Sequence, residues 1–386
     1  MTADLSDQLE WISRLVAYDT TSSRSNLALI EDIEGYLADH GVASTRIEND
    51  DGTKSNLYAV IGPATNGGVV LSGHTDVVPV DGQDWSSDPW QVETRDGKLF
   101  GRGVADMKSF SAIALSLLPE MLAADLKRPI ILALSYDEEI GCLGAPRMID
   151  DICANVPSPS AVIVGEPTDM RVIDGHKGIA SYRVRVNGFT THSSQTDRGV
   201  SAVEAAARII TKISDMRLAR AAAADPDSPF DPAYSTMTVN VVRGGTQLNI
   251  MAKEAEFDFD LRRVPGDNLD AIVGELTDEI KRVESDMQRI APSCSISLEQ
   301  MTNAPTLSPT ADSPAAELAK AITGDNATGV VPYAAEAGQF QEAGFSTVIC
   351  GPGSIDQAHQ ADEFITLEQV AKGVDFQRKL ISRLGQ

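Results

Sequence analysis

Four short runs of consecutive apolar residues stand out along the chain, each bounded by Gly, Pro or charged residues. They occupy positions 69–71, 130–134, 161–164 and 347–350. Uninterrupted runs of this length are typical of strands buried on both faces, as in a sheet covered by helices. Helical spacing of apolar residues predicts helices within 11–37, with a break near 20–23, and over 109–126. Strands alternating with helices predict an α/β domain in which helices sandwich the sheet.

The segment from 180 to 302 has a different pattern. Apolar and polar residues alternate around 181–186, 236–241 and 257–262, as in strands with one covered face. Helices are predicted over 200–224 and 268–289, and a last strand over 293–300. The order β-α-β-β-α-β is that of a ferredoxin-like α+β domain. We therefore predict a first domain made of residues 1–179 and 303–386, with residues 180–302 inserted into it.

Composition and charge exclude several classes of protein. The 386 residues are 42% hydrophobic, which is enough for a packed core and unlike a disordered acidic chain. With 32 Lys+Arg and 56 Asp+Glu, the net charge of −24 argues against binding nucleic acid or an anionic membrane. The apolar runs are far shorter than the roughly 18 residues of a transmembrane helix.

The N-terminus and the cysteines predict a cytoplasmic location. The first residues are acidic and lack the basic region and apolar run of a secretory signal. The four cysteines form no CxxC pair, so we interpret them as buried thiols in a reducing compartment.

Candidate metal ligands follow the apolar runs, and one more, Asp106, lies between the runs just before a predicted helix. Ligands of open α/β sheets gather at the carboxyl ends of the strands, so these side chains are expected to converge. Two histidines and several carboxylates without cysteine suit two Zn²⁺ ions, or Co²⁺ or Mn²⁺, rather than a structural thiolate site. The candidate ligands are His74, Asp106, Glu138, Glu139, Glu166 and His359.

Each candidate has a simpler alternative when taken alone. His74 could be a hydrogen-bonded structural residue, Asp106 a helix N-cap, Glu138 and Glu139 a solvated turn, and Glu166 a loop charge. Their recurrence at successive strand ends favours a metal site. Asp76, two residues after His74 at a strand end, could hold the second imidazole nitrogen of that histidine.

Several motifs together resemble a known family. The chain is similar over its whole length to the dinuclear-zinc amidohydrolases and exopeptidases, which include acetylornithine deacetylases, succinyl-diaminopimelate desuccinylases and glutamate carboxypeptidases. The motifs are SGHTDVVP (72–79), WSSDPW (85–90), GRGVADMK (101–108), DEE (137–139), GEP (165–167) and AH (358–359).

The resemblance implies specific roles in the metal site. It implies that His74 and Glu166 bind one metal ion, that Glu139 and His359 bind the other, and that Asp106 bridges the two. It further implies that Glu138 is the general base for the attacking water and that a cis peptide often follows Asp106. Asp76 is a candidate catalytic residue through its expected contact with His74.

The resemblance also gives the inserted domain a function, as a lid and dimerisation domain. It implies that His192 of the partner subunit stabilises the oxyanion, and that Asn249 and Arg262 bind polar groups and the carboxylate of the substrate. The residues alone leave alternatives: His192 as a turn residue, and Arg262 paired with Asp258 or Asp260.

Within the family, three stretches are most similar to the enzymes that remove the acetyl group of N2-acetyl-L-ornithine. They are GHKG (175–178), YAAEAG (333–338) and GPGSIDQAH (351–359), which make Lys177, Glu336 and Gly353 candidate substrate-binding residues. Glu336 would meet the ornithine ammonium; alternatively it supports the metal site or the fold. Desuccinylation, or deacylation of another N-acyl-amino acid, remains a second hypothesis. A non-enzymatic metal-binding dimer is disfavoured by the intact Glu138.

Overall fold

The computed structural model describes residues 4–386, which form fifteen strands and ten α-helices. The strands are β1 (Ser44–Glu48), β2 (Ser55–Ile61), β3 (Val69–His74), β4 (Glu93–Arg95), β5 (Lys98–Phe100), β6 (Ile130–Ser135), β7 (Ala161–Pro167), β8 (Ile173–His176), β9 (Gly178–Asn187), β10 (Thr236–Gly244), β11 (Glu254–Arg263), β12 (Ser295–Ala304), β13 (Gly329–Val331), β14 (Thr347–Gly351) and β15 (Phe364–Thr366). The helices are α1 (Ser6–Val16), α2 (Leu27–Asp39), α3 (Lys108–Ser116), α4 (Leu118–Ala123), α5 (Ala145–Asn155), α6 (Ala202–Ala222), α7 (Leu269–Ile290), α8 (Pro314–Thr323), α9 (Ala337–Glu342) and α10 (Leu367–Leu384).

The chain divides into two compact units. The first contains the chain up to Gly175 together with Leu307–Val330 and Ala335–Gln386, and the second contains His176–Thr306 and Val331–Ala334. Both main junctions lie within four residues of the boundaries predicted from the sequence pattern. The short segment Val331–Ala334 also belongs to the second unit, which the pattern does not predict.

An eight-stranded mixed sheet forms the centre of the first unit. Its strand order is β1-β2-β6-β3-β7-β14-β8-β13, with β3 parallel to β6 and β7, and β14 parallel to β7. The four apolar runs seen in the sequence are therefore adjacent strands. Since three of these neighbouring pairs are parallel, the four strands end at the same edge of the sheet.

The sheet is buried on both faces, which explains why its strands lack alternation. Val69, Leu71 and Leu132 belong to a core cluster that includes residues of α1, α2, α3, α8 and α10. The alternate residues Val70 and Ile131 are equally buried but lie outside that cluster. Helices α5 and α9 contact the sheet and each other. The predicted α/β architecture is confirmed.

A small three-stranded sheet also belongs to the first unit. Its order is β15-β5-β4, and both pairs are antiparallel. The sequence pattern does not predict it, because its strands have only three residues each.

The second unit is a four-stranded antiparallel sheet covered by α6 and α7. Its strand order is β10-β11-β9-β12, and its chain order is the predicted β-α-β-β-α-β. Val184 and Phe257 pair across β9 and β11 and are fully buried with the apolar residues of both helices. On the same strands Arg183 donates two hydrogen bonds to the carboxylate of Asp258. One covered face and one polar face account for the alternation.

The structure corrects two expectations from the sequence. The single helix expected over 109–126 is two helices, α3 and α4. The first ends at Ser116, Leu117 separates the two, and Pro119 lies in the first turn of the second. Cys153 is exposed, whereas the other three cysteines are buried as expected. Among residues 4–386, no helix combines the length and apolarity that crossing a membrane requires.

Candidate active site

The site lies where neighbouring strands of the large sheet end. His74 is the last residue of β3, Glu166 lies in β7, and Glu138 and Glu139 follow β6. Asp106 comes two residues before α3, whose N-cap is Met107 and has no side-chain cap. The N-cap alternative for Asp106 is therefore excluded. A cis peptide joins Asp106 to Met107.

Asp106 lies between the two histidines. Its Oδ1 is 3.0 Å from His74 Nε2, and its Oδ2 is 3.2 Å from His359 Nε2. On the first side Glu166 Oε1 is 3.8 Å from His74 Nε2, and on the second Glu139 Oε2 is 2.9 Å from His359 Nε2. One carboxylate thus faces two separate pairs, each made of a histidine and a glutamate. Such an arrangement would allow Asp106 to be shared between two cations.

The donor atoms are close enough to share cations. Within residues 4–386, two groups have donor atoms all within 4.8 Å of one another: His74 with Asp106 and Glu139, and His74 with Glu138 and Glu166. The donors are imidazole nitrogens and carboxylate oxygens, a set that suits Zn²⁺, Co²⁺ or Mn²⁺. The residues therefore fit the divalent ions that the sequence predicts.

Both histidines are held in an acidic environment. Burial lowers the pKa of His74, but its hydrogen bond to Asp106 and the charge of Glu166 raise that pKa well above its ordinary value. Hydrogen bonds to Asp106 and Glu139 raise the pKa of His359 to about 10. Each histidine lies against carboxylates whose negative charge favours a cation at that position.

Burial raises the pKa of the glutamates, whereas it lowers the pKa of a histidine. It raises the pKa of Glu139 to about 7, with a further contribution from the charge of Asp106. It also raises the pKa of Glu138 and of Glu166 well above the ordinary range, and neighbouring carboxylates add to both shifts. Crowded, desolvated carboxylates of this kind are costly without a compensating positive charge. Bound dications would supply that charge.

Asp76 makes a different contact from the one anticipated. His74 Nδ1 is 2.8 Å from the main-chain carbonyl of Asp76 and 3.6 Å from its Oδ1. The carboxylate instead accepts hydrogen bonds from the hydroxyl of Ser22 and from the backbone N–H groups of Glu138 and Glu139. Asp76 therefore orients His74 through its backbone and holds the Glu138–Glu139 turn through its side chain.

The two adjacent glutamates have different partners. Glu139 contacts His359, whereas Glu138 lies beside His74 and Glu166. A tight turn follows, in which the N–H groups of Gly141 and Cys142 donate to the carbonyl of Glu138. The thiol of Cys142 donates to Glu138 Oε1 at 3.3 Å. The turn leaves Glu138 available for a role other than contact with His359.

Two further candidates lie in the first unit. Glu336 precedes α9 and is 1% exposed, and its Oε1 has no hydrogen-bond partner within the described residues. Burial raises the pKa of Glu336 to about 7, and its charge in turn raises the pKa of Glu138. Gly353 is buried at a φ of 92°, and its main-chain groups bond to Gln369 and Asp169.

His192 and Asn249 are neighbours in the second unit. Both are exposed, His192 forms an isolated bridge with Ile250, and the N–H of Ser193 donates to the carbonyl of Asn249 at 3.1 Å. His192 Nδ1 is 2.8 Å from the hydroxyl of Ser194. Two residues assigned separately from the sequence therefore occupy one exposed surface.

Arg262 and Lys177 also lie in the second unit. Arg262 Nε donates to Oδ2 of Asp260 at 2.9 Å. The two residues lie on the same face of β11, and this is the ion pair that the sequence left open as an alternative to substrate binding. Lys177 is 1% exposed and its ammonium donates to the carbonyls of Pro232 and Tyr234. Both side chains have protein partners here, and their assignment to the substrate stays a prediction.

Three supporting residues are not predicted from the sequence. Ser22 and Cys142 contact Asp76 and Glu138, and Glu363 binds the backbone before Asp106. Glu363 lies four positions after His359, which was the only local signal available for it. Ser22 and Cys142 have no distinguishing pattern, because their contacts depend on turns that the sequence does not specify.

Comparison with curated proteins gives several acetylornithine deacetylases. The chain is 31% identical over 366 residues to the acetylornithine deacetylase of Myxococcus xanthus, covering 94% of this chain and 93% of that protein. It is 34% identical over 360 residues to that of Yersinia pestis, covering 91% and 89%.

Solved structures share the fold at lower identity. The aminopeptidase PepT of Bacillus cereus superposes with a TM-score of 0.76 at 17% identity, covering 100% of both chains. The metallo-carboxypeptidase Sso-CP2 of Sulfolobus solfataricus gives a TM-score of 0.75 at 18% identity, covering 98% of this chain and 99% of that one. The sequence model of peptidase family M20/M25/M40 matches residues 70–383 of the chain. With that match, and with relatives above 30% identity across nine-tenths of its length, the chain belongs to the M20/M25/M40 family of metallohydrolases.

Proposed function

We propose that this protein hydrolyses the acetyl amide of N2-acetyl-L-ornithine, releasing L-ornithine and acetate. The observation that carries the proposal is Asp106 lying between His74 and His359, with Glu138 beside the cluster. The curated relatives named acetylornithine deacetylase support the choice of substrate.

The reaction requires a base, and Glu138 is the residue proposed for it. His74, Asp106, Glu139, Glu166 and His359 would hold two divalent cations, most simply Zn²⁺, which would supply Lewis acidity toward the acetyl carbonyl and the attacking water. Glu138 removes a proton from that water and returns it to the departing amine. Asp76 accepts a hydrogen bond from the backbone N–H of Glu138 and so holds it in place. The thiol of Cys142 donates to one oxygen of the Glu138 carboxylate.

The substrate-binding residues are proposed from the resemblance. Arg262 would bind the substrate carboxylate through its planar fork, and Asn249 its amide. In the first unit, Glu336 would meet the side-chain ammonium, and Gly353 would let the substrate approach the backbone. Lys177 remains a proposed substrate-binding residue, and its ammonium also donates to the carbonyls of Pro232 and Tyr234.

His192 is proposed to stabilise the oxyanion from the partner subunit of a homodimer, with the second unit serving as lid and dimerisation domain. An exposed apolar surface on this unit supports the dimer: β10 is an edge strand, Val242 is 58% exposed and Leu248 is 100% exposed. Sedimentation of the wild-type protein should give twice the chain mass. A monomer at micromolar concentration would contradict the assignment of His192.

The four free cysteines are consistent with the reducing cytoplasm, which we propose as the site of action.

The substrate is tested by a direct kinetic comparison. Enzyme loaded with Zn²⁺ or Co²⁺ is assayed with N2-acetyl-L-ornithine, its formyl and succinyl analogues, and succinyl-diaminopimelate. We expect the highest kcat/KM for acetylornithine. A higher value for succinyl-diaminopimelate would reassign the substrate within the same chemistry.

A further inference from the structure

A buried carboxylate organises the backbone that leads into Asp106. Glu363 is 1% exposed, and its Oε2 accepts hydrogen bonds from Arg102 Nη1 at 2.8 Å and from the N–H of Gly103 at 3.0 Å. Its Oε1 accepts from the N–H groups of Ala105 at 2.8 Å and Asp106 at 3.1 Å. Four donors on one carboxylate satisfy a charge that would otherwise be costly to bury.

A second set of bonds runs from Arg102 to the backbone of His359. Arg102 Nη2 donates to Gln83 Oε1 at 2.5 Å, and Gln83 Nε2 donates to the carbonyl of His359 at 2.9 Å. Arg102 is itself 1% exposed and lies over the ring of Trp85 at 5.1 Å. We call Gln83, Arg102 and Glu363 the clamp. It connects the main chain of one candidate ligand with that of another.

The small sheet explains why the clamp residues meet. Phe364 of β15 pairs with Phe100 of β5, and the N–H of Gly101 donates to the carbonyl of Glu363 at 3.1 Å. Glu363 is the residue just before β15, and Arg102 comes two residues after β5. The register of these short strands therefore places the carboxylate next to the guanidinium and the loop before Asp106.

We propose that the clamp is a positioning device that fixes the backbones of Asp106 and His359 relative to each other and so sets the affinity of the metal ion bound between them. The inference rests on the metal site of the proposed function. His359 needs such support because its side chain is 54% exposed and its backbone lies at a φ of 64°, in the left-handed region. Residues that orient metal ligands typically contribute about 10–100-fold to metal affinity.

The test is a zinc titration of metal-stripped, full-length protein against a chromophoric chelator. Gln83→Ala breaks the link to His359 and leaves the buried pair of Arg102 and Glu363 in place. We expect one of the two zinc equivalents to bind about 10–100-fold more weakly and the other to be unchanged. The melting temperature of the metal-free protein should not change, which separates positioning from a general loss of structure.

Gln360→Ala is the matched control. Gln360 is exposed in the same loop, and its amide donates to the carbonyl of Asp356, which is not a candidate ligand. The Gln360→Ala variant should bind both zinc equivalents with the affinity of the wild type.

Equal zinc affinity of Gln83→Ala and wild type at both positions would overturn the proposal, as would equal weakening at both. Wild-type protein that binds no zinc would overturn it together with the proposed function. Wild-type protein that binds two equivalents but does not hydrolyse acetylornithine would refute only the substrate assignment, because the titration does not depend on turnover.

Discussion

Asp106 and Glu138 have different environments, although both are carboxylates in the same cluster. Asp106 has an imidazole on each oxygen, and despite its burial these hydrogen bonds hold the pKa of Asp106 below its ordinary value. Glu138 is buried beside other carboxylates, and its pKa is raised well above the ordinary range. Divergent environments of this kind are typical of sites in which one acid holds charge and another transfers protons.

Glu138→Gln tests the assignment of the base. The amide keeps the shape of the side chain but cannot accept the proton of the attacking water, so kcat should fall by about 10²–10⁴-fold. Zinc content, measured by atomic emission on the same sample, should match the wild type. The exposed Glu317→Gln serves as the control for a neutralised charge. Retained turnover in fully metal-loaded Glu138→Gln would eliminate Glu138 as the base.

Glu336→Gln separates the two roles considered for that residue. If the carboxylate meets the ornithine ammonium, KM should rise with little change in kcat, because binding is lost equally in the ground and transition states. If it instead supports Glu138, kcat should fall and KM should stay near its wild-type value. Steady-state kinetics on acetylornithine distinguishes them, and unchanged kinetics would exclude both.

Most of the clustered residues could be located from the sequence because they end or follow strands with a strong apolar pattern, whereas Asp106 precedes a helix. Their roles in metal binding remain what the resemblance implies. The contacts of Cys142 and Glu363 could not be predicted. Glu363 accepts a hydrogen bond from the N–H of Asp106, which lies 257 positions earlier in the chain. The contact of Cys142 with Glu138 depends on the turn that follows Glu138. Such contacts follow from tertiary structure, for which the sequence has no local pattern.

At the scale of elements, strand β7 and helix α3 approach each other closely at Gly165, one residue before Glu166. A Cβ on Gly165 would lie 2.1 Å from Cγ of Phe110 in α3, so only glycine fits. Glu166 follows directly on β7. The packing of α3 against β7 therefore fixes the strand position from which Glu166 extends.

Gly165→Ala should destabilise the fold by about 1–3 kcal/mol, because the strand or the ring must move to relieve the overlap. The measurement is urea unfolding of the metal-free protein. Gly35→Ala is the paired control: Gly35 lies within α2 with nothing within 4 Å of the added carbon, and the change should stabilise by about 0.5–1 kcal/mol. A neutral effect of Gly165→Ala would show that the contact can relax.

His176, the last residue of β8, should make the free energy of unfolding depend on pH. His176 is fully buried, and burial lowers its pKa to about 4. Because the unfolded chain binds a proton more readily, the stability from this residue is complete above about pH 6.5 and is lost as pH falls toward 4. Between pH 7 and pH 5 the loss should be about 2 kcal/mol.

Urea unfolding of wild type and His176→Gln at both pH values measures this loss. The variant should lose about 2 kcal/mol less than the wild type, because it carries no titrating group at this position. Equal losses in the two proteins would contradict a neutral buried His176.

Element prediction succeeded where one physical pattern dominated. The doubly buried strands and the one-faced strands of the second unit were both recognised from hydrophobic periodicity. The break between α3 and α4 and the three-residue strands β4, β5 and β15 were missed. Helical periodicity continues across a break of one residue, and three residues are too few to establish alternation.

At the scale of the whole molecule, the charge of −24 has a local counterpart in the site. Four carboxylates converge there with two histidines, and three of the four, Asp106, Glu139 and Glu166, form ion pairs with a histidine among the described residues. Two dications would offset that charge, so metal binding should stabilise the folded state by mass action. The remaining acidic surface has no counterpart in the proposed reaction.

The most direct test of the proposed function is ornithine release from N2-acetyl-L-ornithine by one preparation in three states: as purified, stripped with chelator, and reloaded with Zn²⁺ or Co²⁺. The structure leads us to expect that stripping abolishes ornithine release and that reloading restores it, because the residues around Asp106 are arranged to act with bound cations. Full activity in the stripped state, or no ornithine from the reloaded protein, would contradict the proposal.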